Sequence, residues 1–414
     1  MQNNSSSGSV LSLSKDDLLN RAKKFYFSLG LDDGAARLCK KNFQYGLAKL
    51  HYAQEKLGME ANATFISTPD ETISRNVRRW ISGYGYGGKL ITGDPKDPLI
   101  FIDVKPNACG MLVGGLNKLL NPDEIIKHIH EVVKVDYFID DIKLQWDYKK
   151  SNHFIDIFEM RNDEENSPNK KLNSKYKFII HGSIPELRSA TEKGPGLYYD
   201  TSKVLRDMCK KIKTPFGNVY YLDGNDAKEY LRFFTYAKKI AAEKRKKAGE
   251  LLFGKFVEIS NPMHQGLLSY GEMLLGAQHI TEQKDKLFPV ALRSDLPAYL
   301  ITALPNLTEE QIDDLGFENR AKKYGVIDYL RNFNVIPHGG GYQLSHINSV
   351  KNVLEVDRGR YFVCEQENEN AITIFSDVKD SQFSYRGKKV ITRILDLNLG
   401  TVEAKLFPKI VLKI

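Results

Sequence analysis

Apolar runs of strand length and long helical stretches alternate along this chain without a strict βαβ rhythm. That irregular alternation constrains the fold most. A regular strand–helix repeat would demand a parallel, doubly wound sheet, whereas this order predicts an α+β protein: one large mixed domain with β-sheets flanked by helices. Residues 98–105 (PLIFIDVK) read as a buried strand, and residues 153–160 (HFIDIFEM) and 175–181 (KYKFIIH) alternate as strands do. Helices are expected over 35–57, 121–134 and, longest of all, 225–252. Ser14 opens a helix with Asp17 three residues on, and Thr308 pairs with Gln311 in a second capping box. Toward the C-terminus RYFVC, AITIF, KKVITRIL, TVEAKLF and KIVLKI read as short strands. The polar stretch MRNDEENSPNKKLNSK (160–175) reads as a surface loop, and no internal repeat or long linker interrupts the chain. The domain is expected to span 13–414 behind a disordered tail, 1–12.

Composition enters where it excludes. The chain has no run near the ~20 apolar residues of a membrane span. Its start, MQNNSSSGSV, lacks the basic and apolar regions of a signal peptide. Its four cysteines form no CxxC pair, which points to a reducing compartment, and a cytoplasmic protein is expected. A formal charge of +8 leans mildly toward phosphate-bearing partners. The run KKIAAEKRKK (238–247) reads as a solvated helix face.

The chemistry concentrates in a few histidines. His128 and His130 lie two apart on an expected helix and cannot chelate together, and His51 and His279 read as structural or surface residues. His346 either caps or lines a helix after a glycine loop. Four others fall at the ends of elements, where sites are built: His153 and His181 at strand boundaries, His264 in a strand-to-helix turn, and His338 before Gly339, Gly340 and Gly341. Cys109 lies just after a buried strand. Thiolate and imidazole together favour zinc, iron, cobalt or manganese over calcium or magnesium.

In order and spacing these fragments resemble the RtcB family of GTP- and manganese-dependent RNA ligases. Cys109 stands in NACGM, Asn152, His153, Phe154 and Asp156 in SNHFIDIF, His181 in IIHGS, His264 in NPMHQG, His338 in PHGGG, Tyr385 in SYRGK, and Lys413 is penultimate. The likeness runs from about residue 98 to the end; residues 13–95 do not align. The chain also departs from the pattern. Pro106 stands where the family has an aspartate, so that Asp103 or Asn107 takes its role. Asp156 replaces a glutamate, Gln265 an asparagine, and Tyr342 an arginine.

The resemblance implies a divergent member of the family. It makes His338 the nucleophile that takes a guanylyl group from GTP. It implies one or two Mn²⁺ ions on Cys109, His153, His181 and His264, with Asp103 added. It implies a guanylate pocket of Asn152, Phe154, Asp156, Gly339, Gly340, Gly341, Tyr385 and Lys413, the glycines leaving room for the nucleotide and turning N–H groups to its phosphates. The implied activity joins RNA 3′-phosphate or 2′,3′-cyclic-phosphate ends to 5′-hydroxyl ends, on tRNA halves or broken RNA, by a monomer. A metal-dependent phosphoesterase and a non-catalytic RNA-binding relative are the alternatives. Residues 75–89 (RNVRRWISGYGYGGK) read either as an RNA-stacking platform or as a surface helix and loop.

Overall fold

The computed structural model describes residues 9–149, 152–161, 170–282, 287–305, 307–357, 359–367 and 371–412. Half of the described strands join one twelve-stranded sheet. Its order across the fold is Tyr26–Phe27, Thr64–Thr72, Tyr86–Ile91, Glu272–Leu275, Met263–Leu267, Cys109–Leu116, Tyr176–Gly182, Phe154–Met160, Gly400–Leu412, Ala298–Ala303 and Leu287–Val290. Val257–Ser260 pairs with Cys109–Leu116 off this path. Tyr26–Phe27 runs parallel to its neighbour, and the other pairings in the sheet are antiparallel. Mixed α and β structure is thus what the irregular alternation predicted. Residues from the unaligned first hundred lie in the same sheet as the C-terminal strand.

Strand alternation sorts the central residues onto two faces. Leu112, Ile155, Ile157, Phe178 and Ile180 pack with Ala248 and Leu252 of the Gly224–Phe253 helix. Met111, Val113, Phe158 and Ile179 pack on the other face. That helix forms because Ala227, Tyr230, Phe234, Ala237, Ile240, Ala241, Ala248 and Leu252 recur on one side. It stops at Gly254, whose φ of 70° only glycine adopts at low cost. A second long helix, Gly34–Lys56, is capped by Asp33 and largely buried. Among the described residues, no helix is long and apolar enough to cross a membrane.

Several local expectations change. KKVITRIL forms the helix Lys389–Asp396, because Val390, Ile391 and Ile394 fall on one buried face, and this outweighs their β-branched preference. TVEAKLF and the start of KIVLKI fuse into one strand, Gly400–Leu412, with a register shift after Pro408 that accommodates its missing N–H. PLIFIDVK shortens to Leu99–Phe101. Of the expected tail, residues 1–8 lie outside the described residues, while Val10–Ser12 forms a 3₁₀ turn with Val10 buried. No helix follows the glycine loop at His346; Ile347–Val356 is a strand. The run at 238–247 is not wholly solvated, since Lys244 and Arg245 are buried. Residues 75–89 turn mostly inward: Arg79, Trp80, Tyr84 and Lys89 are buried.

Candidate metal centre and cleft

Three adjacent strands deliver the centre. Cys109 opens Cys109–Leu116, and His181 is the last residue but one of Tyr176–Gly182. Register sets His181 opposite both Met111 and Phe154. His264 lies in the strand Met263–Leu267, not in the strand-to-helix turn expected for it. The pairing with Cys109–Leu116 shifts between Met263 and Gln265, so His264 sits at a bulge, a device that re-aims a side chain.

The donor atoms converge. Cys109 Sγ is 3.1 Å from His181 Nε2, which is 3.2 Å from His264 Nε2, and all three residues are buried. A backbone carbonyl can only accept, so His181 Nδ1, 2.8 Å from the Asn152 oxygen, carries a proton and Nε2 faces the centre. Burial alone would raise the Cys109 thiol, but His181, His264 and a hydrogen bond from His153 outweigh it and hold it well below the usual thiol range. Burial lowers His264 to about 3. Its Nδ1 is buried without a hydrogen-bond partner. A thiol sulfur and two imidazole nitrogens, buried and converging within 4.8 Å of one another, fit a transition-metal ion.

His153 stands beside this trio. Its Nδ1 is 3.2 Å from Asp147 and its Nε2 3.3 Å from the Ser183 hydroxyl. Burial opposes its charge, yet Asp147 and Cys109 raise it to about 9. Asp147 is fixed in turn by Lys244, which lies 2.9 Å from both Asp147 and Glu186. Asp103 is a correction. Its buried carboxylate pairs with Lys49 at 3.3 Å and accepts the Tyr220 N–H at 3.0 Å, so charge and backbone partners draw it into the core away from the centre. Asn107 instead lines the cleft and accepts the Cys109 N–H at 3.0 Å.

His338 faces the centre, its ring 4.5 Å from that of His264. Its Nδ1 is 2.9 Å from the fully buried carboxylate of Asp70. Asp70 also accepts from the Thr68 hydroxyl at 2.5 Å and the Gly339 N–H at 3.3 Å. Sequence reasoning missed Asp70. It lies in Thr64–Thr72, within a stretch where pairing to Tyr86–Ile91 is broken between Ser67 and Thr72. A carboxylate inside an otherwise β-prone run was the available signal.

The glycines have a different cause from the one expected. A Cβ on Gly339 would lie 2.6 Å from the Ala291 oxygen, and one on Gly340 would lie 2.6 Å from the Arg386 oxygen. One on Gly341, where φ is 67°, would lie 2.4 Å from the Asp70 oxygen. The N–H groups of Gly339 and Gly340 already serve Asp70 and Ala291. Close backbone packing behind His338 therefore requires the glycines. Arg386 locks that packing through two bonds to Asp33 and one to the Asp70 carbonyl.

These groups open onto one cleft of about 760 Å³, a volume usual for small-molecule sites. Its lining includes Cys109, Asn152, His153, Phe154, Asp156, His181, His338, Gly339, Gly340, Gly341 and Tyr385. The sequence-predicted site residues therefore share one cavity, with His264 buried behind it and Asp103 elsewhere. Lys413 lies outside the described residues. Arg75, Arg79, Arg188 and Arg293 add positive charge to the walls. Tyr342, which follows the three glycines, packs its ring 5.2 Å from Tyr385. No family model matches the chain, and no curated protein matches it.

Proposed function

We propose that this chain is an RtcB-type RNA ligase that joins 3′-phosphate or 2′,3′-cyclic-phosphate RNA ends to 5′-hydroxyl ends through a guanylylated His338. The observation that carries the proposal is the Asp70–His338 pair. A carboxylate at Nδ1 fixes the proton there and leaves Nε2 as a lone pair in the cleft, beside a metal-competent trio. His338 Nε2 attacks the α-phosphorus of GTP; the N–P bond forms as the bond to pyrophosphate breaks. Asp70 holds the imidazolium character that develops in that step. A 2′,3′-cyclic phosphate is first opened by water to the 3′-phosphate; the guanylyl group then passes from His338 to the 3′-phosphate, and the 5′-hydroxyl attacks that phosphorus and displaces GMP to seal the strand.

A manganese ion on Cys109, His181 and His264, with His153 adjacent, would neutralise triphosphate charge and polarise the phosphorus. Asn152, Asp156 and Tyr385 line the same cleft and suit a guanine edge and face. A carboxylate facing the base favours guanine, whose N1–H and N2–H donate to it, over adenine, which offers no such edge. The cleft arginines suit an RNA backbone.

The test uses GTP labelled at the α-phosphate, Mn²⁺, and RNA with 3′-phosphate and 5′-hydroxyl ends. Wild type should acquire an acid-labile, alkali-stable label and seal the RNA. His338→Ala should acquire none, and Asp70→Asn should label on the order of 10²-fold more slowly. Label retained in His338→Ala sinks the proposal. Phosphate release from the RNA without any label points to the phosphoesterase instead.

A further inference from the structure

The basic run at 238–247 contains one residue that the proposed chemistry does not use. Arg245 is 1% exposed and lies on the Gly224–Phe253 helix, behind the ligand-bearing strands. Among the described residues no carboxylate forms an ion pair with it. Burying an unpaired guanidinium is costly, so its hydrogen bonds must repay the loss of water.

Those contacts fall beside all three ligands. Nη1 donates to the Gly182 oxygen at 3.0 Å, and Gly182 directly follows His181. Nε donates to Asn261 Oδ1 at 2.8 Å, three residues before His264. A Cβ added to Gly110, which directly follows Cys109, would lie 2.6 Å from Nη2. Gly110 and Gly182 each directly follow a ligand and carry no side chain, so one planar group behind the sheet can lie against the backbone beside Cys109 and His181.

We infer that Arg245 is the positioning residue of the metal centre: its fork ties the end of the His181 strand to the segment that leads into the His264 strand, and packs against Gly110 beside Cys109. The inference rests on the metal-centre reading above. Arginine is required because a planar fork holds two acceptors at a fixed angle, whereas lysine offers one mobile point charge. Asn261 extends the tie, since its amide also donates to the Ala242 oxygen of the same helix at 3.1 Å.

The experiment titrates full-length protein, stripped with a chelator, with Co²⁺ and follows the thiolate-to-cobalt charge-transfer band. The variants are Arg245→Lys, Asn261→Ala and, as a control on the same helix, the exposed Lys246→Met. Arg245→Lys keeps the charge and loses the fork. It should bind Co²⁺ roughly 10-fold or more weakly, with a diminished charge-transfer band at saturation. Asn261→Ala loses one tie and should weaken binding several-fold, on the order of the lower end of that range. Lys246→Met should match wild type. If circular dichroism shows that Arg245→Lys does not fold, Asn261→Ala decides. Wild-type affinity and spectrum in the folded variants overturn this inference alone. A wild type that binds no Co²⁺ overturns the metal centre, and this inference with it.

Discussion

His51 and His264 are both fully buried, and burial lowers both to about 3. They differ in what their ring nitrogens meet. His51 Nδ1 is 2.7 Å from Arg21 Nη1, and its Nε2 is 2.8 Å from the Ala63 oxygen. Arginine can only donate and a carbonyl can only accept, so the neutral ring is satisfied on both sides. The edge of its ring packs on Phe25, 4.5 Å between centroids. His264 points Nε2 at another Nε2 and leaves Nδ1 without a hydrogen-bond partner. The lesson is that burial and a depressed pKa do not mark a ligand. A ligand histidine is marked by nitrogen atoms that converge where the protein alone cannot satisfy them.

The widest separation between the two should appear on deletion. His264→Ala should weaken Co²⁺ or Mn²⁺ binding by more than the roughly 100-fold seen for outer-shell residues, and His51→Ala should leave the affinity unchanged. Equal losses in a metal titration would break the contrast. The second effect runs the other way. His51→Ala should destabilise the chelated protein by about 2–4 kcal/mol in urea unfolding, because it leaves a cavity and an orphaned Arg21 partner.

Acid sharpens the comparison further. The folded pKa of His51 lies below its unfolded value near 6.5, so the unfolded chain binds a proton that the folded chain refuses. That contribution to stability is complete above pH 6.5 and is lost as pH falls toward 3, at up to ~1.4 kcal/mol per pH unit. Unfolding midpoints between pH 4 and 6.5 should flatten in His51→Ala relative to wild type. An identical slope would mean that His51 already takes up a proton in the fold. The smallest effect is expected at the ring beside it. Phe25→Leu should cost ~1 kcal/mol and leave metal affinity untouched. Combined with His51→Ala, it should show a coupling that the same pairing with His264→Ala does not.

Much of the site was legible from order and residue type. Cys109, His153, His181 and His338 read as element-end residues, and they line one cleft. Asp70 was not legible, because its partner His338 lies 268 residues away and no local pattern links them. Asp147 escaped for the same reason; its value depends on Lys244, 97 residues on. Asp103 was misplaced because a carboxylate near a cysteine says nothing of the Lys49 that claims it. The glycine loop was recognised as unusual, but its cause was hidden. The oxygen atoms that forbid a Cβ belong to Asp70, Ala291 and Arg386, distant in the chain.

Alternation and helical spacing, which are local, fixed which stretches become strands, where the Gly224–Phe253 helix runs, and which side chains share a face. Short-range periodicity governs those choices because it decides which atoms leave water. Whether a given polar atom is satisfied was decided only in three dimensions. Partners come from other elements, 12 and 30 residues away for His51 and 83 for His264, so the difference between a settled His51 and a converging His264 exists only once the fold has closed around them.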